Sequence, residues 1–130
     1  MGSMHTGLED IDGGYARMAA FYAERARGQV GLIVTGGIAP NLAGRVARNG
    51  SLMIDQEEAD RHRPITDAVH KEGGKIAMQI LHTGRYGYHD AAVGASDLRA
   101  PINVVKPHKL TEAEILSTID DFARCAELAR

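Results

Sequence analysis

One cysteine, Cys125, is the chain's whole stock of thiol. It can form neither an internal disulfide nor a multi-cysteine zinc site, and such a composition suits a reducing compartment. Charge of one sign is not in excess either: 15 Lys and Arg stand against 17 Asp and Glu, a formal net charge of -2. The broad basic field that a phosphate backbone needs is therefore missing, and nucleic acid is excluded as an expected partner. No apolar run approaches the roughly 18–20 residues that cross a bilayer, so no membrane partner is expected. The opening Met1–Gly2–Ser3–Met4–His5 has no cationic stretch followed by an apolar one and does not read as a signal peptide. Without targeting signals the expected location is the cytoplasm. The six histidines show no metal-ligand spacing, and no metal site is read from them. Phosphate-loop patterns, GxGxxG and GxxxxGKS/T, are absent too.

What is present is an alternation of short apolar runs with longer stretches of helical period, the pattern of βαβ units. From Tyr15, the residues Tyr15, Ala19, Tyr22, Ala23 and Ala26 recur at steps of three and four and predict a helix that Gly28 stops. Val30 to Thr35 follows, nearly all apolar, and predicts a strand buried on both faces that ends at Gly36–Gly37. Asp55, with Glu58 three residues on, predicts a capped second helix with Ile65, Ala68 and Val69 inside, ended by Gly73–Gly74. Lys75 to Leu81 reads as the next strand. Thr111 and Glu114 form a capping box for a third helix, with Ile115, Ile119, Phe122, Ala123 and Ala126 on its inner face, still running at Arg130.

The chain thus reads as α/β, a partial (β/α)8 TIM barrel of about the first three βα units, since a complete barrel needs about 250 residues. A small flavodoxin-like fold is the alternative, but it normally needs about five strands. Two long stretches without sustained period, Ile38–Ile54 and His89–Pro107, both follow strands. Loops of that length on the carboxyl side of strands favour an enzyme over a structural module.

Polar residues gather at those strand ends. Gly2 to Gly7 forms one group if a first strand is cut at Met1; Thr35–Gly36–Gly37 forms a second, and Gln79 to Arg85 a third. Gln79 is the sharpest residue, because an amide inside an apolar strand is costly unless it is hydrogen-bonded. Its donor and acceptor suit the edge of a heterocycle, or else a neighbouring backbone. Gly36 and Gly37 allow positive φ or close backbone approach to a flat ligand, or simply make a turn. His82 and Arg85 offer a hydrogen bond and a fixed cation on the ligand side, with a salt bridge as the plain alternative for Arg85. His5 donates to a ligand or caps a strand. Tyr86 and Tyr88 stack on a ligand or cover the domain's own core. Cys125 reads as a buried, inert thiol.

Met1–Gly2–Ser3–Met4–His5–Thr6–Gly7, Gly36–Gly37–Ile38–Ala39–Pro40 and Gln79–Ile80–Leu81–His82–Thr83–Gly84–Arg85 resemble the opening of the flavin barrel of bacterial NADPH-dependent 2,4-dienoyl-CoA reductases, within the wider Old Yellow Enzyme group. The resemblance covers essentially the whole chain, and its Q-x-x-H-x-G-R element is fairly specific to that group. Related amine dehydrogenases and enoate reductases share much of the first element.

The resemblance implies FMN at the carboxyl mouth of the barrel. It places Ser3, Met4 and His5 beneath and beside the ring, Gly37 at the second strand, and Gln79 on the pyrimidine edge. It implies reduction of the C=C bond of a 2,4-dienoyl-CoA or related enone with NAD(P)H. Whole members of that branch also carry FAD, a 4Fe-4S cluster and an NADPH site. The opening strand is expected upstream of Met1, and the catalytic tyrosine and histidine beyond residue 130, so the catalytic residues are not among these. Residues 1–130 are accordingly read as the N-terminal portion of an FMN-binding barrel domain, inactive alone and lacking the remainder of its barrel. A non-catalytic half-barrel that self-associates through open edges or pairs with a partner is one alternative. Another enzyme of the Old Yellow Enzyme type, an amine dehydrogenase or enoate reductase, is the other.

Overall fold

The computed structural model describes residues 1–130, apart from the side chain of Asp10. The chain divides into two compact units. The first comprises Met1–Gly37 and Asp55–Gln79, the second Ile38–Ile54 and Ile80–Arg130.

In the first unit, helix α1 spans Gly14–Arg27 and helix α2 spans Gln56–Lys71. They pack on each other and on the main sheet's strands, β1 (Ile33–Ile38) and β2 (Ile76–Ile80). Met18, Tyr22, Ala26, Ile33, Ile65 and Val69 form the core, each almost wholly removed from water. Asp55 caps α2 as its position predicts, its Oδ1 accepting the Glu58 N–H at 2.9 Å. A further rung lies on the outer edge of β1. The Met1 amino group donates to the Leu32 carbonyl at 2.6 Å and the Val34 N–H donates to the Met1 carbonyl at 3.0 Å. One residue bonded to both neighbours of Ile33 is the hydrogen-bond pattern of a parallel pair. The opening segment therefore lies where the first strand of a βα series belongs.

The position of β1 corrects the sequence reading, which set the strand at Val30–Thr35 and ended it at the two glycines. Residues 28–30 are taken up in closing α1: Gly28 N–H bonds the Glu24 carbonyl, Gln29 N–H the Ala26 carbonyl, and Val30 N–H the Arg25 carbonyl. Gln29, not a glycine, takes the left-handed conformation there, with φ 63°. Gly36 and Gly37 lie inside the strand and neither has positive φ. Met18 and His62 also join the buried set, which the predicted stripes omitted.

In the second unit, the two aperiodic stretches are held by polar side chains together with a parallel bridge between Ala39 and Leu52 and one short ladder. Asn41 caps a 3-10 turn at Leu42–Gly44 through Oδ1 to the Gly44 N–H, and its amide donates to Asp121 at 2.7 Å. Thr83 Oγ1 donates to the Arg45 carbonyl at 2.7 Å, and the His89 ring bonds the same carbonyl at 2.8 Å. Buried Asn103 donates to the Gly87 carbonyl at 2.9 Å and accepts the Val105 N–H at 3.1 Å. A second parallel pair, β3 (Val93–Gly94) with β4 (His108–Lys109), joins Val93 to His108 and Gly94 to Lys109 in register. Such satisfaction of buried groups is what lets long loops keep one conformation.

Helix α3 spans Glu112–Leu128 and opens with both halves of the Thr111–Glu114 capping box. Its inner face departs from expectation. Ile115 is 46% exposed and Ile119 59%, Ala123 and Ala126 are also exposed, and only Cys125 is fully buried. Burial pushes the Cys125 thiol up to about 11, as an inert core thiol requires. Ala129 keeps right-handed helical dihedrals after Leu128, with its N–H on the Cys125 carbonyl at 3.1 Å. No helix among the described residues is long and apolar enough to cross a membrane.

Candidate functional site

In the first unit, the end of β2 meets the opening segment. Ser3 Oγ donates to Gln79 Oε1 at 2.7 Å, joining two residues 76 positions apart in sequence. The Gln79 N–H is taken by Thr35 Oγ1 at 3.1 Å, and that hydroxyl donates to the Gly36 carbonyl at 2.8 Å. Thr35 is buried, so one side chain on β1 sets the backbone of both strand ends. Ser3 is exposed and Gln79 half-buried. With Oε1 occupied, the Gln79 amide still has N–H groups to give, and Ser3 Oγ still has lone pairs. The pair thus offers a donor and an acceptor side by side.

Gly36 brings the chain close from beneath. A Cβ at this position would stand 2.7 Å from the Met4 carbonyl oxygen, nearer than such atoms lie, and in a tight 3.3 Å contact with the His5 Cα. The absence of a side chain lets the opening segment settle on β1. With its backbone so held, Met4 leaves a side chain that is 49% exposed. Gly37, half-buried, follows in β1. His5 stands next to Met4, with Nδ1 3.0 Å from Glu9 Oε1, and Thr6 Oγ1 donates to Glu9 Oε2 at 2.8 Å.

Burial works to raise the Glu9 carboxyl. Hydrogen bonds from its own backbone, from Thr6 and from His5 outweigh that and hold it below the usual carboxylate range. Beneath the strand, the Gly36 N–H donates to the Tyr22 hydroxyl at 3.3 Å. Burial pushes that phenol up, so it stays neutral.

The structure therefore brings Ser3 and Gln79 into contact and sets Met4 and His5 on the segment lying over Gly36. Thr35 and Thr6 fell within the polar groups read from the sequence but were given no role there, and Glu9 was missed. A threonine in a β-branched strand has no distinguishing local signal, but the His5–Glu9 spacing of four residues, with Thr6 between, was open to notice.

His82 and Arg85 belong to the second unit. The Gly84 N–H donates to His82 Nδ1 at 3.0 Å, so the ring proton sits on Nε2, which is buried without a partner. The ring stacks on Phe122 at 6.5 Å and leaves no room for a Cβ on Gly44, which would come within 2.9 Å. Burial lowers the His82 pKa; Asp121 works against this and His89 with it. Arg85 lays its guanidinium over the Tyr86 ring, 5.3 Å from the centroid, and reaches the Tyr86 hydroxyl at 3.4 Å. Its partner is thus an aromatic ring rather than the carboxylate of the simpler expectation. No group of three His, Cys, Asp or Glu among the described residues is placed to hold a metal ion.

Known proteins resemble this chain in sequence and in fold. The N,N-dimethylglycine/sarcosine dehydrogenase of Chromohalobacter salexigens is 34% identical over 94% of this chain and 19% of its own length. A 2-naphthoyl-CoA reductase structure superposes with a TM-score of 0.77 at 25% identity, covering 86% of this chain and 20% of that one. Morphinone reductase superposes with a TM-score of 0.77 at 22% identity, over 86% of this chain and 36% of its own, which speaks for the fold. The fold is thus a partial α/β barrel of about three βα units with an open sheet. The chain spans about a fifth of the length of the longer curated relatives it matches and about a third of the shorter ones. The sequence profile of one family matches residues 1–130 throughout, and on that ground the chain belongs to the NADH:flavin oxidoreductase / NADH oxidase family.

Proposed function

We propose that this chain supplies the ring-binding wall of an FMN-dependent reductase that acts on the C=C bond of a 2,4-dienoyl-CoA or related enone, with NAD(P)H as the source of electrons. The observation that carries the reading is the Ser3–Gln79 hydrogen bond of 2.7 Å. It leaves a donor and an acceptor together at strand ends, the place where βα folds keep their chemistry. Gln79 would give its amide N–H to a carbonyl of the ring's pyrimidine edge, with Ser3 orienting the amide. Met4 would offer an apolar surface to the ring, while Gly37 and His5 would border it. The residues fit such a group, because a flat heterocycle with a polar edge needs one apolar wall and paired polar groups. Bound FMN would supply two-electron hydride chemistry. His82 and Arg85 are proposed on the substrate side, with Arg85 held by Tyr86.

For the whole protein the proposal adds NADPH with FAD and a 4Fe-4S cluster as relays. The residues of this chain do not fit a cluster: Cys125 is the one cysteine in the sequence, and it is buried with a raised thiol.

The test is titration of the 130-residue chain with FMN, followed by flavin fluorescence and the visible band. The wild type should quench and shift the flavin. Gln79→Leu, which removes one or two hydrogen bonds, should weaken binding about tenfold. Equal affinity in the two proteins, or no binding by the wild type, would overturn the reading.

A second reading, association of two copies through an uncovered face without flavin, draws on one observation. Ile115, Leu116 and Ile119 are all exposed on α3.

A further inference from the structure

We propose that Glu9, steadied by Thr6, is a positioning residue that fixes His5 in its Nδ1–H tautomer and leaves Nε2 as a bare acceptor beside Met4. Only the identity of the ligand that meets this acceptor rests on the flavin reading above.

A chain of hydrogen bonds runs from the Leu8 backbone through Thr6 and Glu9 to His5. The Leu8 N–H donates to Thr6 Oγ1 at 3.3 Å, and the Thr6 hydroxyl donates its hydrogen bond to Glu9 Oε2 at 2.8 Å. The threonine hydroxyl is therefore oriented by the backbone, and it orients the carboxylate. The other carboxylate oxygen, Oε1, faces His5 Nδ1 at 3.0 Å. Glu9 is 8% exposed while the His5 side chain is 41% exposed, so the clamp is inside and the imidazole reaches out. The same hydrogen bonds hold the Glu9 carboxyl below its ordinary range against the pull of burial, so it is ionised at neutral pH. An ionised carboxylate can only accept. The proton between the two groups must then lie on Nδ1.

A neutral imidazole has one donor and one acceptor, and fixing the first nitrogen decides the second. Nε2 has no protein partner among the described residues and carries a free lone pair. The backbone under this ring is itself located, because Gly36 seats Met4 and His5 on β1. The opening segment thus carries two differently tuned polar groups: Ser3, paired with the Gln79 amide that has N–H groups to give, and His5, with a lone pair to offer. A ligand suited to both carries a carbonyl at one edge and an N–H at another.

The experiment reads the tautomer in the flavin-free chain and the flavin separately. Long-range proton–nitrogen spectra of the labelled wild type at pH 8 should show His5 Nδ1 as the protonated, pyrrole-type nitrogen and Nε2 as the pyridine-type one. Nε2 protonated in the wild type would overturn the proposal with no substitution made. In Glu9→Gln the amide can give or accept, so a mixture of tautomers is expected. A pure Nδ1–H tautomer in that variant would also overturn the role of Glu9. In parallel, FMN should bind Glu9→Gln about threefold to tenfold more weakly than the wild type. Scrambled tautomers with unchanged FMN affinity would overturn the ligand-facing part of the proposal. A wild type that binds no FMN would sink the flavin reading, and the nitrogen shifts would still decide the clamp.

Discussion

Gly36 is the residue at which the first unit has least freedom. The Met4 carbonyl oxygen occupies the space of its missing side chain, only 2.7 Å from where a Cβ would lie, and backbone cannot swing aside as a flexible side chain can. Gly36→Ala should therefore cost about 1–3 kcal/mol. It should lower the urea midpoint with little change in slope. An unchanged midpoint would show that the opening segment is not seated on β1 as described. The same scale shows why Gln79 was legible in the sequence and its partner was not. An amide in an apolar strand announces a need for hydrogen bonds, but nothing local says that Ser3, 76 positions away, will meet it. Thr35 was hidden for a different reason: its β-branched shape suits a strand, and only the fold reveals that its hydroxyl takes the Gln79 N–H.

At the scale of elements, the helices were readable because caps and stripes are local. Asp55 and Thr111 both accept the N–H three residues on, as their spacing requires. Strand limits were less readable, since Val30 looks like strand sequence but its N–H is taken by the end of α1. Helix α2 carries a polar residue that no apolar pattern could have placed inside. His62 is buried, its Nδ1 bonds the Glu58 carbonyl at 2.7 Å, and its Nε2 is buried without a partner. Its ring meets Tyr15 edge-on at 4.9 Å. Burial lowers its pKa, with the Glu58 bond working the other way, so the folded chain resists protonating it. The unfolded chain binds this proton near pH 6.5. The stabilising contribution is therefore complete above that pH and is lost as pH falls towards the lower folded value. Thermal midpoints of the wild type should drop between about pH 7 and pH 5. His62→Phe, which keeps a ring against Tyr15, should flatten that part of the curve. Parallel curves for the two proteins would remove His62 as the cause.

At the scale of the whole molecule, α3 presents an apolar stripe to solvent. Its apolar positions were correctly placed on one helix face, yet Ile115, Leu116 and Ile119 are exposed, as are Ile102 and Val104 in the loop before β4. If two copies meet through this face, sedimentation velocity should show association that rises with concentration. Ile119→Lys, by setting a charge on the stripe, should return the chain to monomer. A wild type that stays monomeric at every concentration would end the association reading. By itself, the sequence determined the alternation of strand and helix, the caps and the inert Cys125, because each depends on neighbours within a few positions. Only the tertiary structure decided that Ser3 bonds Gln79 and that Gly36 admits the opening backbone. It alone showed that Asn41, Thr83 and Asn103 hold the long loops, and that the stripe of α3 faces solvent. Those outcomes depend on which distant groups the packed chain brings within 3 Å, and no periodicity encodes a distance of that kind.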